Sequence, residues 1–259
     1  MPVNGPVKPM LGLSASKRAK TRQMMQKEAA LPGLWAQTEP TRNRLARPRA
    51  RGSDARMGTP RPRTRIQTKN RETILEAALE VFSQHGFRGA TLDMIAAEAG
   101  LSKPNLLYYF PSKEAIHVTL LSEMMDTWLD PLRALDAAGD PAGELRAYVR
   151  RKLQMSRDFP RESRLFANEI VQGAPRIAAA LATDLKTLVD EKAAVIRGWA
   201  AAGRIADVDP HHLIFSIWAL TQHYADFDVQ VRAVLGPARD PIPEAEQFLD
   251  TLFTRLLAP

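Results

Sequence analysis

The sequence contains no cysteine and no long apolar segment, and each absence excludes a group of structures. Without cysteine the chain cannot form disulfides, thiolate zinc sites or cysteine nucleophiles. No apolar run approaches the roughly 18 residues that a transmembrane helix needs, and the h-region of a secretory signal is missing. The alternation of apolar and polar residues that is typical of strands is missing as well. We therefore expect a cytoplasmic, all-α protein with no membrane partner.

Negative charge is scarce at the beginning of the chain. Residues 1–67 contain 15 Lys and Arg against three Asp and Glu, a formal charge of +12, and the net charge of +7 leaves −5 for residues 68–259. Eight prolines and the lack of a sustained apolar period predict a disordered basic extension over residues 1–66. Such an arm can contact phosphates, or it is an inert extension upstream of a translation start at Met57. Both interpretations remain open.

From residue 68 onward the apolar spacing is that of amphipathic helices. The first helix, which ends at His85-Gly86, carries one apolar stripe formed by Ile74, Leu75, Ala78, Leu79 and Phe82. Later helices are predicted over residues 113–135, 141–157, 161–171, 174–202, 210–227 and 244–257. Glycine and proline separate them.

Two short helices between the first helix and residue 113 match the helix-turn-helix geometry. Thr91 is a candidate N-cap, Gly100 lies in the four-residue turn, and Ser102 caps a second helix over residues 103–110. The side chains of this second helix suit contacts with bases and phosphates, namely those of Lys103, Asn105, Tyr108 and Tyr109. An ordinary helical hairpin is the alternative.

The residues of this motif also resemble a known family. Thr91-Leu92-Asp93-Met94-Ile95-Ala96, Ala99-Gly100-Leu101-Ser102 and Leu107 to Glu114 are similar to the signature of TetR-family regulators. The resemblance implies a three-helix DNA-binding domain over residues 67–112 and a helical ligand-binding and dimerisation domain over residues 113–259. It implies a DNA contact surface made of Thr91, Lys103, Pro104, Asn105, Tyr108, Tyr109 and Lys113. Apolar residues of the motif are core: Leu92, Ile95, Ala96, Leu101, Leu106 and Phe110.

A protein of this family is expected to be a homodimeric repressor at the nucleoid rather than an enzyme. One recognition helix covers too few base pairs, so two copies must lie about 34 to 36 Å apart on a palindromic operator. The helices over residues 210–227 and 244–257 are the candidates for an intersubunit bundle. A ligand would favour a dimer whose two recognition helices have the wrong spacing for the operator. The helix over residues 113–135 joins the DNA-binding domain to Trp128 and is expected to transmit this change.

The second half contains an aromatic and amide pair that fits a flat polar ring. Trp218 and Gln222 are one helical turn apart, so the indole can stack on a ring while the amide pairs with an imide edge. The alternative is that Trp218 fills the dimer core and Gln222 is a solvated or interfacial amide. Spacing alone does not separate these interpretations.

The second half also resembles pyrimidine-sensing members of the same family, in stretches such as Trp128 to Leu132, Ser163 to Phe166 and Asp209 to Phe227. This implies that Trp128, Trp218 and Gln222 contact uracil or thymine, with Phe166, Glu169 and Tyr224 as neighbours. Residues 167–171 differ from the expected pattern, which leaves the preferred ring open. A different small planar metabolite is the alternative effector, and no metal or other cofactor is expected.

Two further classes of protein are possible interpretations of parts of the sequence. The first is an enzyme with a metal or acid–base site formed by His211, His212, His223, Asp209, Asp226 and Asp228. Asp209-Pro210 is more simply an N-cap pair. An architectural protein that binds DNA only through the basic arm is the other class, and it would lack sequence preference.

Overall fold

The computed structural model describes residues 65–259, and this range is helical with no β-strand. The head comprises α1 (Arg65–Gly89), α2 (Leu92–Glu98) and α3 (Lys103–Tyr109). The sensor half comprises α4 (Lys113–Arg133), α5 (Pro141–Asp158), α6 (Pro160–Val171), α7 (Ala178–Ala180), the π-helix π1 (Leu181–Leu185), α8 (Lys186–Ala201), α9 (Pro210–Asp226), α10 (Asp228–Leu235) and α11 (Ile242–Leu256). The all-α prediction is confirmed for this range, within which no helix meets the length and apolarity of a membrane span. The predicted basic extension falls on residues 1–64, outside the described residues, and on the start of α1.

The core of the head forms as the apolar stripe predicts. All five stripe residues of α1 are buried, and Phe82 is the largest of them. From the helix-turn-helix, Ile95, Ala96, Leu106 and Phe110 are buried in the same cluster. Leu92 and Leu101 pack against it from partly exposed positions. The predicted core of the motif is therefore confirmed.

Side-chain caps begin the helices at the predicted residues. Thr91 accepts a hydrogen bond from the amide of Met94 at 3.1 Å, and Ser102 accepts one from the amide of Asn105 at 3.4 Å. Ser112 caps α4 in the same way. Gly100, at a φ of +65°, makes the turn between α2 and α3, a conformation that residues with a Cβ rarely adopt. These local signals position α3.

The structure differs from the predicted helices in two places. The helix predicted to start at residue 174 begins at Ala178, because Ala174 has a φ of +52° and its amide closes the end of α6 on the carbonyl of Glu169. A π-helical stretch then interrupts it. The separate helix α10 was not predicted; it follows Phe227, which breaks the α-helical backbone.

A second core holds the sensor half together. The helix α9 packs against α5, α6 and α8, and α11 packs against α5. Phe253 of α11 and Ile214 of α9 are fully buried in this core. The helix α5 thus lies between α9 on one side and α4 on another, which brings residues far apart in sequence to one region.

Candidate DNA interface and sensor site

The recognition helix α3 presents the predicted polar residues on its surface. Lys103, Pro104 and Asn105 at its start are exposed. The ammonium of Lys103 lies 2.9 Å from a carboxylate oxygen of Asp93 on α2, and both side chains are solvated. Because an exposed ion pair contributes little to stability, a DNA phosphate or base can replace the carboxylate. The arrangement suits a helix that enters the major groove.

The two tyrosines at the end of α3 are supported by the first turns of α1. The hydroxyl of Tyr109 accepts a hydrogen bond from Asn70 at 2.9 Å, and that of Tyr108 accepts one from Gln67 at 3.1 Å. Their rings meet edge to face with centres 5.1 Å apart. Gln67, Tyr108 and Tyr109 line one surface cleft together with Arg71, whose guanidinium lies over the ring of Phe110. The polar residues of α1 were missed by the sequence analysis, although their spacing of three to four residues was a usable signal.

Lys113 and Thr91 have structural partners in the free protein. The ammonium of Lys113 donates to the carbonyls of Phe87 and Ala90, each at 2.7 Å, and lies 4.5 Å from the centre of the Phe87 ring. It thereby joins the start of α4 to the chain that leaves α1. Thr91 caps α2. Their phosphate contacts remain predictions.

In the sensor half, Trp128 of α4 is surrounded by aromatic and basic groups. It is buried, and the ring of Phe166 on α6 meets it edge to face at 5.1 Å. The ammonium of Lys152 on α5 lies 5.9 Å from the centre of the indole. Two of the predicted ligand contacts, Trp128 and Phe166, are therefore adjacent.

Trp218 reaches the same helix α5 from α9. Its indole N–H donates to the hydroxyl of Tyr148 at 2.7 Å, and Tyr148 precedes Lys152 by one turn. The helix α5 therefore links the two predicted tryptophans. We call this group the sensor cluster, which consists of Trp128, Tyr148, Lys152, Ser163, Phe166, Trp218, Gln222 and Asp226.

Gln222 and Asp226 continue the line of Trp218 along α9. They follow it at intervals of four residues and so share its side of the helix. A carboxylate oxygen of Asp226 accepts a hydrogen bond from Ser163 of α6 at 2.5 Å. Gln222 is half-buried, between residues that face α5 and α6. Its amide has no hydrogen-bond partner within residues 65–259, so it is available to a ligand.

Burial changes the electrostatics of the cluster. It lowers the pKa of Lys152 to about 8, although the nearby charge of Asp226 acts in the opposite direction. Burial also raises the pKa of Asp226, against the hydrogen bond from Ser163, and raises the pKa of Tyr148 well above its usual value. The sequence analysis did not place Tyr148, Lys152 or Ser163 at a site, and it considered Asp226 only for a metal or acid–base site. Lys152 shares the apolar stripe of Leu145, Tyr148 and Val149, a signal that could have found it.

Glu169 and Tyr224 occupy other surroundings than the sensor cluster. Glu169 is buried, and its two carboxylate oxygens accept from the amide and the guanidinium of Arg176 at 2.9 and 2.8 Å. Tyr224 is half-buried and comes two residues after Gln222, which turns it to another face of α9. Ligand contacts from these two residues remain predictions that the geometry does not favour.

Both ends of α6 are attached to the first helix of the head. Near its start, the guanidinium of Arg161 bonds Glu76 at 3.1 Å and also bonds Glu80. Near its end, Glu169 holds Arg176, whose guanidinium stacks 3.6 Å from the centre of the Phe87 ring. Because Ser163 and Phe166 lie on the same helix, α6 connects the sensor cluster to the head.

The histidine and aspartate residues weighed as a metal or acid–base site have separate partners. Asp209 caps α9 by accepting from the amide of His212 at 3.0 Å, and His211 lies 3.1 Å from Asp190. The ring of His223 stacks on Phe227. Within residues 65–259 there is no group of three His, Asp or Glu side chains that could hold a metal ion.

Comparisons with known proteins agree for both halves. Residues 74–118 match the model of bacterial regulatory proteins of the tetR family, and residues 121–259 match the C-terminal region of YcdC-like proteins. The HTH-type transcriptional regulator RutR of Escherichia coli K12 is 52% identical over 174 residues, which are 67% of this chain and 82% of that protein. LmrA of Bacillus subtilis is 30% identical over 46% of this chain and 59% of its own length.

Solved structures show the same fold at lower identity. A transcriptional regulator of Streptomyces coelicolor superimposes with a TM-score of 0.59 at 24% identity, over 73% of this chain and 98% of that one. AibR in complex with isovaleryl coenzyme A and operator DNA gives a TM-score of 0.57 at 21% identity, over 73% and 99%. Since a family model covers more than half of the sequence, this chain belongs to the TetR family and is a DNA-binding helix-turn-helix transcriptional regulator, not an enzyme.

Proposed function

We propose that this regulator is a homodimeric cytoplasmic repressor of genes for pyrimidine metabolism, and that uracil or thymine releases it from a palindromic operator. The observation that carries the proposal is the sensor cluster, in which α5 links Trp128 to Trp218 and leaves the amide of Gln222 open. Aromatic walls with few polar groups are typical of sites for flat polar rings. The resemblance to pyrimidine-sensing family members supports the same ligand.

The size of the ligand is compatible with useful affinity. Uracil has roughly eight heavy atoms, and a ceiling near 1.5 kcal/mol per atom leaves micromolar binding, about 8 kcal/mol, within reach. A ring without an imide would leave the Gln222 amide unpaired, which lowers its affinity. Selectivity would therefore depend on Gln222.

The dimer is proposed to form through α9 and α11. Each of these helices carries large apolar side chains on its outer surface, Phe215 on α9 and Phe248 and Leu256 on α11. Phe248 is 60% exposed, and contiguous exposed apolar side chains are typical of interaction surfaces. A twofold axis there would present both α3 helices to successive major grooves.

Ligand binding is proposed to reach the head through two helices. Trp128 lies on α4, which begins at the head, and Phe166 lies on α6, which Arg161 fastens to α1. A ring between these side chains would favour one arrangement of α4 and α6 over another. The shift in population is limited by the difference in ligand affinity between the two arrangements.

The proposal is tested by measuring operator affinity with and without nucleobases, together with thermal stability. We expect uracil or thymine to weaken operator binding and to raise the melting temperature of the wild type but not of Gln222→Ala. If every nucleobase leaves both proteins unchanged, the pyrimidine assignment fails and a different planar metabolite becomes the favoured effector. A protein that stays monomeric at micromolar concentration would exclude the dimer.

A further inference from the structure

The side chain of Lys152 is a buried cation that lies beside the ring of Trp128. It is 4% exposed, and its ammonium has no hydrogen-bond acceptor or ion-pair partner within residues 65–259. Buried charges in proteins are nearly always paired, because removing an ion from water is costly. A cation kept in this state in the free protein therefore points to something that it binds.

The ammonium of Lys152 is not fully enclosed by protein atoms. The fully enclosed nitrogens without a partner in the described part of the chain are Nδ1 of His117 and the Nε atoms of Arg146 and Arg176. Nζ of Lys152 is not among them, so solvent or a small ligand can reach it. A water molecule can serve as its acceptor in the free protein. A ligand would have to replace that acceptor.

The groups around Lys152 indicate which ligand atom this is. The indole of Trp128 lies 5.9 Å away and gives a flat wall, with Phe166 at its edge. Asp226 acts on Lys152 through its charge, but no ion pair joins the two residues. One carboxylate oxygen of Asp226 accepts a hydrogen bond from Ser163 at 2.5 Å. The other oxygen of Asp226 can therefore accept a hydrogen bond from a ligand. A donor and an acceptor thus stand near the same wall.

We propose that Lys152 donates a hydrogen bond to a ring carbonyl oxygen of the effector stacked on Trp128, and that Asp226 accepts from the neighbouring ring N–H. Lys152 and Asp226 are then specificity-determining residues, in addition to Gln222. This inference rests on the proposed pyrimidine effector and assigns a second polar edge to its site. A pyrimidine-dione offers two such edges, because each of its carbonyls adjoins a ring N–H.

The test combines a variant of the protein with variants of the ligand. Lys152→Met keeps the length of the side chain and removes its charge. Lys186→Met is the matched control, because Lys186 is 66% exposed and pairs with Asp190 on the surface. Calorimetric titration at pH 7 uses uracil, 4-pyrimidinone, which lacks the 2-carbonyl, and 2-pyrimidinone, which lacks the 4-carbonyl. The melting temperature without ligand is measured for all three proteins.

We expect Lys152→Met to bind uracil about 10- to 100-fold more weakly than the wild type, while Lys186→Met binds as the wild type does. Each analogue also has one ring N–H fewer than uracil, so the wild type should bind both more weakly. For the analogue that lacks the contacted carbonyl, the wild type should lose at least as much affinity as Lys152→Met loses for uracil. Against that analogue, Lys152→Met should show no further loss, since both changes remove the same hydrogen bond. Without ligand, Lys152→Met should melt at a higher temperature, because an apolar side chain replaces an unpaired buried charge.

Several outcomes would overturn the inference. Unchanged uracil binding by Lys152→Met removes Lys152 from the site while the pyrimidine effector stands. If Lys152→Met loses the same affinity for uracil and for both analogues, Lys152 has only a structural role. A lower melting temperature of the ligand-free variant contradicts the unpaired state of the cation. If the wild type binds none of the three rings, the proposed function itself fails, and this inference fails with it.

Discussion

The head and the sensor half place their candidate functional residues in opposite ways. In the head, Lys103, Asn105 and Tyr108 are exposed on one short helix and come from six consecutive residues. In the sensor half, the cluster around Lys152 is assembled from α4, α5, α6 and α9, with Trp128 and Asp226 almost a hundred residues apart. A surface for DNA needs a local motif with the right spacing, whereas a site for a small ring needs walls on several sides. The two halves should therefore respond differently to substitution.

The largest expected effect is a loss of operator binding that leaves uracil binding unchanged. The double variant Lys103→Ala, Asn105→Ala should lose about 2 to 6 kcal/mol of operator binding, because each side chain is expected to contribute about 1 to 3 kcal/mol. Its affinity for uracil should not change, since both residues are far from the sensor cluster in the chain. Operator binding by fluorescence anisotropy and uracil binding by calorimetry measure the two effects. Full operator affinity in this variant would exclude α3 as the recognition helix and favour the basic arm.

The next effect concerns His117, which lies where the halves meet. Its buried ring contacts the rings of Phe82 and Phe87 in the head, and Nδ1 has no hydrogen-bond partner among residues 65–259. Burial lowers its pKa from 6.5 to about 4, with the charges of Arg176 and Lys113 acting in the same direction and Glu169 against them. As the pH falls, His117 is therefore protonated at a higher pH in the unfolded chain than in the folded protein.

The sign of the effect follows from this difference. The contribution of His117 to stability is complete above pH 6.5 and is lost as the pH falls from 6.5 towards about 4. The loss should reach at most about 3 kcal/mol of unfolding free energy, at roughly 1.4 kcal/mol per pKa unit. Urea denaturation between pH 7 and pH 4.5 measures it. The variant His117→Phe should show a flatter profile, and an equally steep profile would assign the acid sensitivity to other groups.

A smaller effect tests the connection between the halves. Arg161→Ala removes the bonds from α6 to Glu76 and Glu80. We expect operator and uracil affinities measured separately to change little, and the effect of uracil on operator affinity to weaken by about 0.5 to 2 kcal/mol. Arg157→Ala is the matched control, because Arg157 is exposed and forms its ion pair with the adjacent Asp158. If uracil changes operator affinity equally in both variants, α6 does not transmit the signal and α4 is left as the connection between the halves.

The smallest expected effect concerns the support that α1 gives to α3. Asn70→Ala removes the hydrogen bond to the hydroxyl of Tyr109 and should weaken operator binding by about 0.5 to 1.5 kcal/mol. The loss should be similar on operator and unrelated DNA if Tyr109 contacts a phosphate. A loss confined to the operator would instead place Tyr109 against a base.

Much of the head follows from sequence alone. Thr91, Ser102 and Ser112 cap the helices that their positions predict, and the stripe from Ile74 to Phe82 forms the core. These features depend on bonds between residues three or four apart. Prediction was weaker where the backbone depends on a distant contact or an irregular turn. The apolar period predicts a helix from residue 174. Because Ala174 has a positive φ, the helix begins only at Ala178.

The arrangement of the sensor cluster follows from the sequence only in part. Trp218 and Gln222 share a face because of their spacing, yet nothing in that spacing shows that the indole bonds Tyr148, which lies 70 residues earlier. Glu169 was expected near the ligand, and the structure gives both of its oxygens to Arg176. Its partner could not be predicted, because the turn between α6 and α7 that carries Arg176 is irregular. The described residues thus shift the candidate site toward α5.

The run Arg150-Arg151-Lys152 shows what each level of description decided. In sequence it resembles a solvated basic patch, and its helical period already turns the third of these residues toward the apolar face of α5. Only the packing of α4, α6 and α9 around that face determines that Lys152 is buried and faces no carboxylate within bonding distance. The physical reason is that helical period and caps arise between near neighbours in the chain, whereas the solvation of a charge depends on every helix that comes close to it.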